Sequence, residues 1–263
     1  MRVGFCFNLK KETGASDPGD LYAEWDDEET IEAVRSALAA KHEVIPIEAD
    51  EDAFEKFRKA RPAIVFNMAE GIHGNSREAQ IPSILEMLGI PYTGSDPLTL
   101  AVCLDKAMAK VILRHHGIPT PGFRVVAEEG KKMGGFPPFP LIVKPLREGS
   151  SKGILNSSLV RNARQLKDEI HRVVAEYRQP ALVEAFLPGR EFTVAMLGNG
   201  RDVEALPIVE IQFGELPREI NPIYSFEAKW IWDTVEKPLE IFSCPAKVPA
   251  ALRRKIESVC RGA

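Results

Sequence analysis

The stretch Pro140-Leu-Ile-Val-Lys-Pro-Leu-Arg-Glu-Gly-Ser-Ser-Lys-Gly153 joins an apolar, β-branched segment to a loop of small residues. Its first part, Leu141–Lys144, is typical of a buried strand that carries the Lys144 ammonium at its end. The following Gly149–Ser151 run lets backbone amides approach an anion closely, and the serine hydroxyls add donors. The stretch therefore indicates a phosphate-binding loop beside a lysine, or alternatively an exposed linker. It is not a Walker P-loop, because no Gly-x-x-x-x-Gly-Lys-Ser/Thr run occurs.

Two other segments carry groups that suit a nucleotide. Lys106 begins a predicted helix in Leu104–Lys110, where its ammonium can aim at a ligand or can be an ordinary solvated lysine. In Leu182–Glu191, Glu184 lies at a predicted strand end and Glu191 at the start of the next strand. The linker between them can hydrogen-bond an adenine edge through its backbone, and Glu191 can hold a ribose. The alternative interpretation is a pair of ordinary surface acids.

The segment from about 214 to 237 is long and shows no regular pattern. It contains Tyr224–Lys229, in which aromatic residues lie close to a lysine in the sequence. Loops of this length without regular structure are usually functional lids or disordered. The aromatic side chains favour a lid.

The N-terminal part alternates predicted strands with predicted helices. The strands are Val3–Phe7, Glu43–Ile47 and Ala63–Asn67, and the helices are one capped by Asp26 or Asp27, Asp52–Lys59 and Arg77–Leu88. This alternation predicts an open α/β sheet of parallel strands, whose ligands bind beyond the carboxyl ends of the strands. A ligand-binding turn or a plain Gly-rich turn is therefore expected at Asn67, Glu70, Gly71, His73 and Gly74.

From about residue 97 strands flank helices without strict alternation, which predicts an α+β unit. The predicted helices are Asp105–His116, Arg161–Tyr177 and Pro249–Arg261. The predicted strands are Phe123–Val126, Leu141–Lys144, Ala181–Ala185, Glu191–Leu197 and Val203–Phe213. We expect an N-terminal domain at 1–97, a central lobe at 98–184 and a C-terminal lobe at 185–263.

Composition excludes several classes of protein. The 263 residues are 44% hydrophobic and 27% charged, as in an ordinary globular protein. No apolar run approaches the ~18–20 residues that cross a bilayer. The net charge of −4 argues against a nucleic-acid partner, and the four cysteines form no CxxC pair. Because the N-terminus lacks the features of a signal peptide, a cytoplasmic protein with no membrane partner is expected.

The chain resembles the D-alanine–D-alanine ligases of the ATP-grasp superfamily over about residues 60–245. Seven stretches follow the order of that family's motifs with compatible spacing. They are Glu70–Gly74, Leu85–Ser95, Leu104–Lys106, Gly117–Pro121, Val143–Ser151, Val183–Glu191 and Tyr224–Lys229. The resemblance implies an N-terminal α/β open parallel sheet followed by α+β ATP-grasp lobes with ATP between them.

The resemblance also implies a role for each candidate residue. The phosphate contacts are Lys106, Lys144, Ser150, Ser151 and Lys229; the adenine contacts are Glu184, the backbone of Leu187, Ile142 and Phe186; and Glu191 holds the ribose. The catalytic candidates are Ser150, Tyr224 and Lys229, of which Ser150 and Tyr224 resemble a pair that links loop and lid over the substrate. The candidate substrate contacts are His73, Gly74 and Glu24, the last as the acid that grips an amine.

In that family one D-alanine carboxylate attacks the γ-phosphate of ATP to give an acyl phosphate, which the amine of a second D-alanine then displaces. The product, D-alanyl-D-alanine, is a peptidoglycan precursor for the cell wall. The implied partners are ATP, a small amino-acid substrate and, as one candidate, a second copy of the chain. Magnesium is the implied metal cofactor.

The chain departs from the family in four places, one of which is the lack of a recognisable N-terminal glycine-rich turn with a Glu that grips the amine of the first substrate. Asn75–Ala79 replaces an acidic Gly-Glu-Asp-Gly run, and Ala185 replaces a basic residue that often follows the adenine-contacting acid. The family's magnesium ligands and its oxyanion-binding Arg belong to a segment beyond the helix Pro249–Arg261, and no substitute cluster precedes that helix. The resemblance therefore predicts a truncated ligase with no metal site and little activity of its own.

Two alternatives stay open. One is a non-catalytic nucleotide-binding module that keeps the ATP site without metal ligands. The other is an ATP-grasp ligase for a different amino acid or small acid. What the reading frame encodes after Ala263 is expected to separate an enzyme from a module.

Overall fold

A computed structural model describes residues 1–12, 19–127, 134–217, 220–233 and 238–263, so part of the predicted lid at 214–237 lies outside these ranges. The chain divides into two compact units. The first unit comprises Met1–Ala109 and Leu146–Lys152, and the second comprises Lys110–Pro145 and Gly153–Ala263. The finer division at residues 97 and 184 stays a prediction.

The first unit is built on a parallel three-stranded sheet of order β2-β1-β3. Its strands are β1 (Arg2–Phe7), β2 (Glu43–Glu48) and β3 (Ile64–Asn67). Its helices are α1 (Glu28–Ala39), α2 (Ala53–Ala60), α3 (Gln80–Leu88) and α4 (Pro97–Leu104), with a 3-10 turn at Arg77–Ala79. The helix α5 (Lys106–His115) begins in this unit and ends in the second.

Local signals explain most of these elements. Asp27 caps α1, as predicted, because its carboxylate accepts a hydrogen bond from the Thr30 amide at 2.8 Å. The predicted helix Arg77–Leu88 is confirmed except that its first turn is 3-10. The helix α4 is missing from the predictions, although Asp96 caps it and Pro97 occupies its first turn.

The second unit contains an antiparallel four-stranded sheet of order β4-β7-β5-β6, covered on one face by α6. The strands are β4 (Phe123–Val126), β5 (Leu141–Pro145), β6 (Leu159–Val160) and β7 (Ala181–Ala185), and the helix α6 is Ala163–Tyr177. The parallel sheet followed by antiparallel sheets agrees with the predicted order of an α/β part and an α+β part.

The remaining strands of the second unit are short, whereas its last helix lies within one residue of the predicted range at each end. These elements are β8 (Glu191–Thr193), β9 (Met196–Leu197), β10 (Glu204–Ala205), β11 (Val209–Ile211), β12 (Phe242–Ser243) and α7 (Ala250–Gly262). The predicted strands Glu191–Leu197 and Val203–Phe213 are therefore wrong as continuous strands, since each is interrupted. The second interruption falls at Pro207, which has no N–H to donate to a strand ladder.

Side-chain alternation gives the β5–β7 pair two different faces. Leu141 and Val143 point to the face that packs against α6, together with Ala181 and Val183 of β7. The other face carries the alternating residues Ile142, Lys144, Leu182 and Glu184. Two candidate nucleotide-binding residues on β5 and one on β7 therefore share a face.

No helix within the described ranges is both long enough and apolar enough to cross a membrane.

Val143→Ala should lower the free energy of unfolding by about 1–3 kcal/mol, because it opens a cavity under α6. Val125→Ala is the matched control, since Val125 on β4 is 36% exposed whereas Val143 is 0% exposed. Val125→Ala should lower the free energy of unfolding by less than about 1 kcal/mol. Urea unfolding followed by circular dichroism measures both, and equal losses would contradict the assignment of the two faces.

Candidate active site

Two lysines flank one buried carboxylate on the sheet of the second unit. The Lys144 ammonium forms an ion pair with Glu184, and Lys110 Nζ lies 2.7 Å from the other carboxylate oxygen of Glu184. Ile142 pairs with Glu184 in the strand register. Lys144 is therefore the diagonal neighbour of Glu184 on the same face. We refer to Lys110, Lys144 and Glu184 as the lysine–glutamate cluster.

The cluster keeps its acid ionised. The Glu184 side chain is only 7% exposed, and this burial alone raises the pKa of its carboxyl group. The ammonium groups of Lys144 and Lys110 outweigh burial, so the pKa of Glu184 lies below its usual value. Two cations around one anion leave an excess positive charge, which suits a phosphorylated ligand.

Lys110 is the member of this cluster that sequence reasoning missed. Its ammonium also contacts Thr120 Oγ1 at 2.7 Å and lies 5.5 Å from the ring centroid of Phe123. The available signal was its spacing from Lys106, because residues four apart lie on the same face of a helix. A basic group supplied from α5 accompanies Glu184, although Ala185 follows that acid in the sequence.

The linker after β7 presents an open peptide group. The Phe186 amide donates to the Pro140 carbonyl at 3.1 Å, which holds the start of the linker. Leu187 is 67% exposed, and within the described ranges its backbone forms no hydrogen bond. At the other end of the linker, Arg190 forms a bidentate pair with Glu210 at 2.6 and 2.8 Å. The linker is thus fixed at both ends and free to hydrogen-bond in its middle.

Glu191 begins β8, as predicted. Partial desolvation by neighbouring atoms raises the pKa of its carboxyl group, and the attraction of Lys144 only partly offsets this effect. Lys144 therefore acts electrostatically on both acids that were predicted to contact a nucleoside, which supports one shared binding surface within this unit.

The described part of the predicted lid contains regular structure, which corrects the expectation of a wholly irregular segment. A 3-10 turn covers Phe213–Glu215, and a π-helical turn covers Ala228–Trp232. Lys229 lies in this π-helical turn, and its ammonium is 5.1 Å from the ring centroid of Trp230. Tyr224 packs edge-on against Phe242, with ring centroids 5.7 Å apart. Single π-helical turns occur frequently at functional sites.

The predicted phosphate loop forms a tight turn in the first unit. The Lys152 amide donates to the Gly149 carbonyl at 2.9 Å, so Gly149–Lys152 closes a four-residue turn, here called the serine turn. Its central residues, Ser150 and Ser151, have φ values of 48° and 63°. Two successive left-handed residues other than glycine are energetically unfavourable, and such conformations persist where surrounding contacts impose them.

Four charged side chains surround this turn. Arg77 Nη2 lies 2.9 Å from Glu148 and 3.3 Å from Glu24, and Lys152 Nζ lies 2.8 Å from Glu148 and 3.4 Å from Glu24. All four side chains are between 3% and 12% exposed. We call Glu24, Arg77, Glu148 and Lys152 the anchor cluster.

Three further sequence candidates lie near these elements in the first unit. The Lys106 ammonium contacts the Glu148 carbonyl, and the Lys106 amide donates to the Leu146 carbonyl at 3.3 Å. His73 and Gly74 are exposed in the turn that follows β3. Gln80 holds that turn by donating to the His73 carbonyl at 2.8 Å.

Glu70, in the same turn, is a partly buried acid without a hydrogen-bonded partner for its carboxylate among the described residues. Burial, followed by the nearby charges of Glu24 and Glu78, raises the pKa of this carboxyl group to about 7. The Glu70 amide donates to Asn8 Oδ1 at 2.8 Å, which fixes the backbone at this position. Such an acid gains most from a cationic ligand.

The described residues bring together no group of three or more His, Cys, Asp or Glu side chains that could hold a metal ion.

Comparisons with known proteins identify the family of this chain. The family model described as D-ala D-ala ligase C-terminus matches residues 112–262, more than half of the chain. An uncharacterised protein of Sinorhizobium fredii is 36% identical over 89% of this chain and 69% of its own length. A D-alanine–D-alanine ligase of Gluconobacter oxydans is 36% identical over 76% of this chain and 62% of its own length. The chain thus spans about two thirds of the length of these relatives.

The solved structure of the D-alanine–D-alanine ligase of Bacillus anthracis complexed with ATP has the same fold. It matches 98% of this chain and 75% of its own length, with a TM-score of 0.66 at 22% identity. The fold is that of an ATP-grasp protein. Within that class, the chain belongs to the D-alanine–D-alanine ligase family.

Glu70→Gln should stabilise the protein increasingly as pH rises from about 4.5 to above 7. The raised pKa means that the folded state binds the Glu70 proton more tightly, so wild-type stability is lost as pH rises through about 7. The variant lacks this titrating group. Its free energy of unfolding, relative to that of the wild type, should therefore be about 1–3 kcal/mol higher at pH 8 than at pH 4.5.

Thermal unfolding at both pH values measures this gain. Glu55→Gln is the control, because Arg58 lowers the pKa of Glu55 and no such gain is expected. A Glu70→Gln gain that does not depend on pH would refute the assignment.

Proposed function

We propose that the protein is an ATP-dependent carboxylate–amine ligase that joins two D-alanines through an acyl phosphate, in the synthesis of peptidoglycan precursors. The lysine–glutamate cluster is the observation that carries this proposal, because it places two ammonium groups beside an ionised acid on one sheet face. Family membership supports the same reaction, since the curated relatives include D-alanine–D-alanine ligases.

ATP is proposed to bind along this face of the second unit. The Glu184 carboxylate accepts a hydrogen bond from the adenine edge, and the open peptide of Leu187 also hydrogen-bonds that edge. The adenine ring lies between Ile142 and Phe186. Glu191 accepts from the ribose hydroxyls. Lys144 contacts the phosphates, with Lys106 and Lys229 as further phosphate contacts. The proposed roles of Lys106 and Lys229 follow the family resemblance.

The proposed reaction needs charge neutralisation more than a protein nucleophile. A carboxylate oxygen of the first D-alanine attacks the γ-phosphorus, and the bond from that phosphorus to the β-phosphate oxygen breaks to release ADP. The amine of the second D-alanine then attacks the acyl carbon, loses a proton and expels phosphate. Ser150 and Ser151 donate to the transferred phosphoryl group, and Tyr224 is proposed to close over the substrate with Ser150.

The substrate amine is proposed to bind near His73 and Gly74. Glu24, the acid expected to grip it, already holds Arg77 and Lys152. Glu70 is therefore the better carboxylate partner for an ammonium, because partial burial without a hydrogen-bonded partner makes its ionised form gain most from a positive charge. A cytoplasmic location and a homodimer belong to the same proposal.

A non-catalytic nucleotide-binding module is the second candidate. The observation that favours it is the lack of any metal-binding group among the described residues. Both candidates predict ATP binding, whereas only the first predicts turnover.

Lys144→Ala should weaken ATP binding about 10–100-fold, because it removes a charged donor to phosphate. Lys110 stays beside Glu184 in this variant, so the buried acid keeps a counter-ion. Lys167→Ala, which removes an exposed lysine of α6, is the matched control and should leave the affinity unchanged. Isothermal titration calorimetry compares the three proteins, and equal affinities would refute the phosphate contact.

D-alanine should stimulate phosphate release from ATP by the product of the complete reading frame, and L-alanine should not. A coupled phosphate assay with product detection by mass spectrometry measures both. Stimulation by another amino acid instead of D-alanine would indicate a ligase with a different substrate. ATP binding with no turnover on any amino acid would favour the non-catalytic module.

A further inference from the structure

Arg77 contacts the loop before the serine turn at two successive residues, Arg147 and Glu148. Its Nη1 donates to the Arg147 carbonyl at 2.9 Å, and its Nη2 donates to the Glu148 carboxylate at 2.9 Å. The same Nη2 reaches Glu24 at 3.3 Å. One planar guanidinium therefore holds a main-chain carbonyl and two carboxylates in a fixed geometry.

The backbone that carries Arg77 is itself tightly seated. Gly71 has φ of 82° and lies so close to the Arg77 carbonyl that an added Cβ would collide with it. The Gly71 amide in turn donates to Asn8 Oδ1 at 3.0 Å, next to the end of β1. The backbone at Arg77 is thus fixed by close contact with Gly71, which is itself bonded to Asn8 at the end of β1.

Removing Arg77 would leave the acids of this region poorly compensated. Glu24 and Glu148 would lose the guanidinium that they share, while the Lys152 ammonium would still contact both. The carboxylates of Glu70 and Glu78 also act electrostatically on this region, because Glu24 raises the pKa of both. Gly149 lies against Glu24, where an added Cβ would collide with Oε1, so a displaced Glu24 would disturb the turn directly.

We infer that Arg77 is a positioning residue that holds Ser150 and Ser151 in their left-handed turn through Glu148 and the Arg147 carbonyl. The turn needs such support because its two central residues adopt unfavourable backbone conformations. The catalytic consequence rests on the proposed function, in which the serine hydroxyls donate to the transferred phosphoryl group. The ordering of the turn does not depend on that function.

Hydrogen exchange followed by mass spectrometry tests the ordering directly. In Arg77→Gln, the Lys152 amide that closes the turn should exchange at least 10-fold faster, while β1 amides exchange as in wild type. Arg77→Lys, which keeps the charge but loses the planar fork, should give an intermediate rate. Arg58→Gln is the control, because Arg58 forms an exposed pair with Glu55 on α2 and should leave the turn unchanged.

A charge-swapped pair, Arg77→Glu with Glu148→Arg, should restore slow exchange at Lys152 where Arg77→Glu alone does not. In the phosphate-release assay, Arg77→Gln should lower kcat about 10-fold or more with less than a 3-fold change in the Kd for ATP. The inference is overturned if the Lys152 amide of Arg77→Gln exchanges at the wild-type rate. It is also overturned if the β1 amides exchange faster by the same factor and the charge-swapped pair does not restore slow exchange. Wild-type protein that neither binds nor hydrolyses ATP overturns the proposed function alone, since the exchange result still decides the role of Arg77.

Discussion

The antiparallel pairing of β5 with β7 is the constraint on which the candidate site of the second unit depends. Because side chains alternate along each strand, the pairing register puts Leu141 and Val143 under α6 and leaves Lys144 on the opposite face. A shift by one residue would turn Lys144 towards that apolar helix contact, where a charge is costly. The apolar packing of one face therefore determines where the charges of the other face lie.

The serine turn is held in a different way. Its surroundings are charged rather than apolar, with Arg77 and Lys152 opposite Glu24 and Glu148. Buried ion pairs contribute little net stability when complete, but the loss of one partner leaves an uncompensated charge. Such a cluster favours one position of the turn without adding a large hydrophobic core. This suits the proposed role of the turn, in which serine hydroxyls donate to a phosphate.

Most elements could be predicted from the sequence, because their signals are local. Short apolar runs predicted β1, β4, β5 and β7, and an Asp cap predicted the start of α1. The failures have local causes as well. The Asp96-Pro97 signal for α4 was overlooked, and Pro207 interrupts a segment whose apolar pattern otherwise resembles a strand.

The sequence by itself determined which chemical groups are available and which strand or loop carries each one, since alternation and capping act over only a few residues. Only the tertiary structure decided that Lys110 and Lys144 share Glu184, and that Arg77 reaches Glu148, 71 residues away along the chain. Contacts at that separation have no periodic signature in a single sequence. They arise because burial of the surrounding apolar residues forces the remaining charges to find partners where the fold places them.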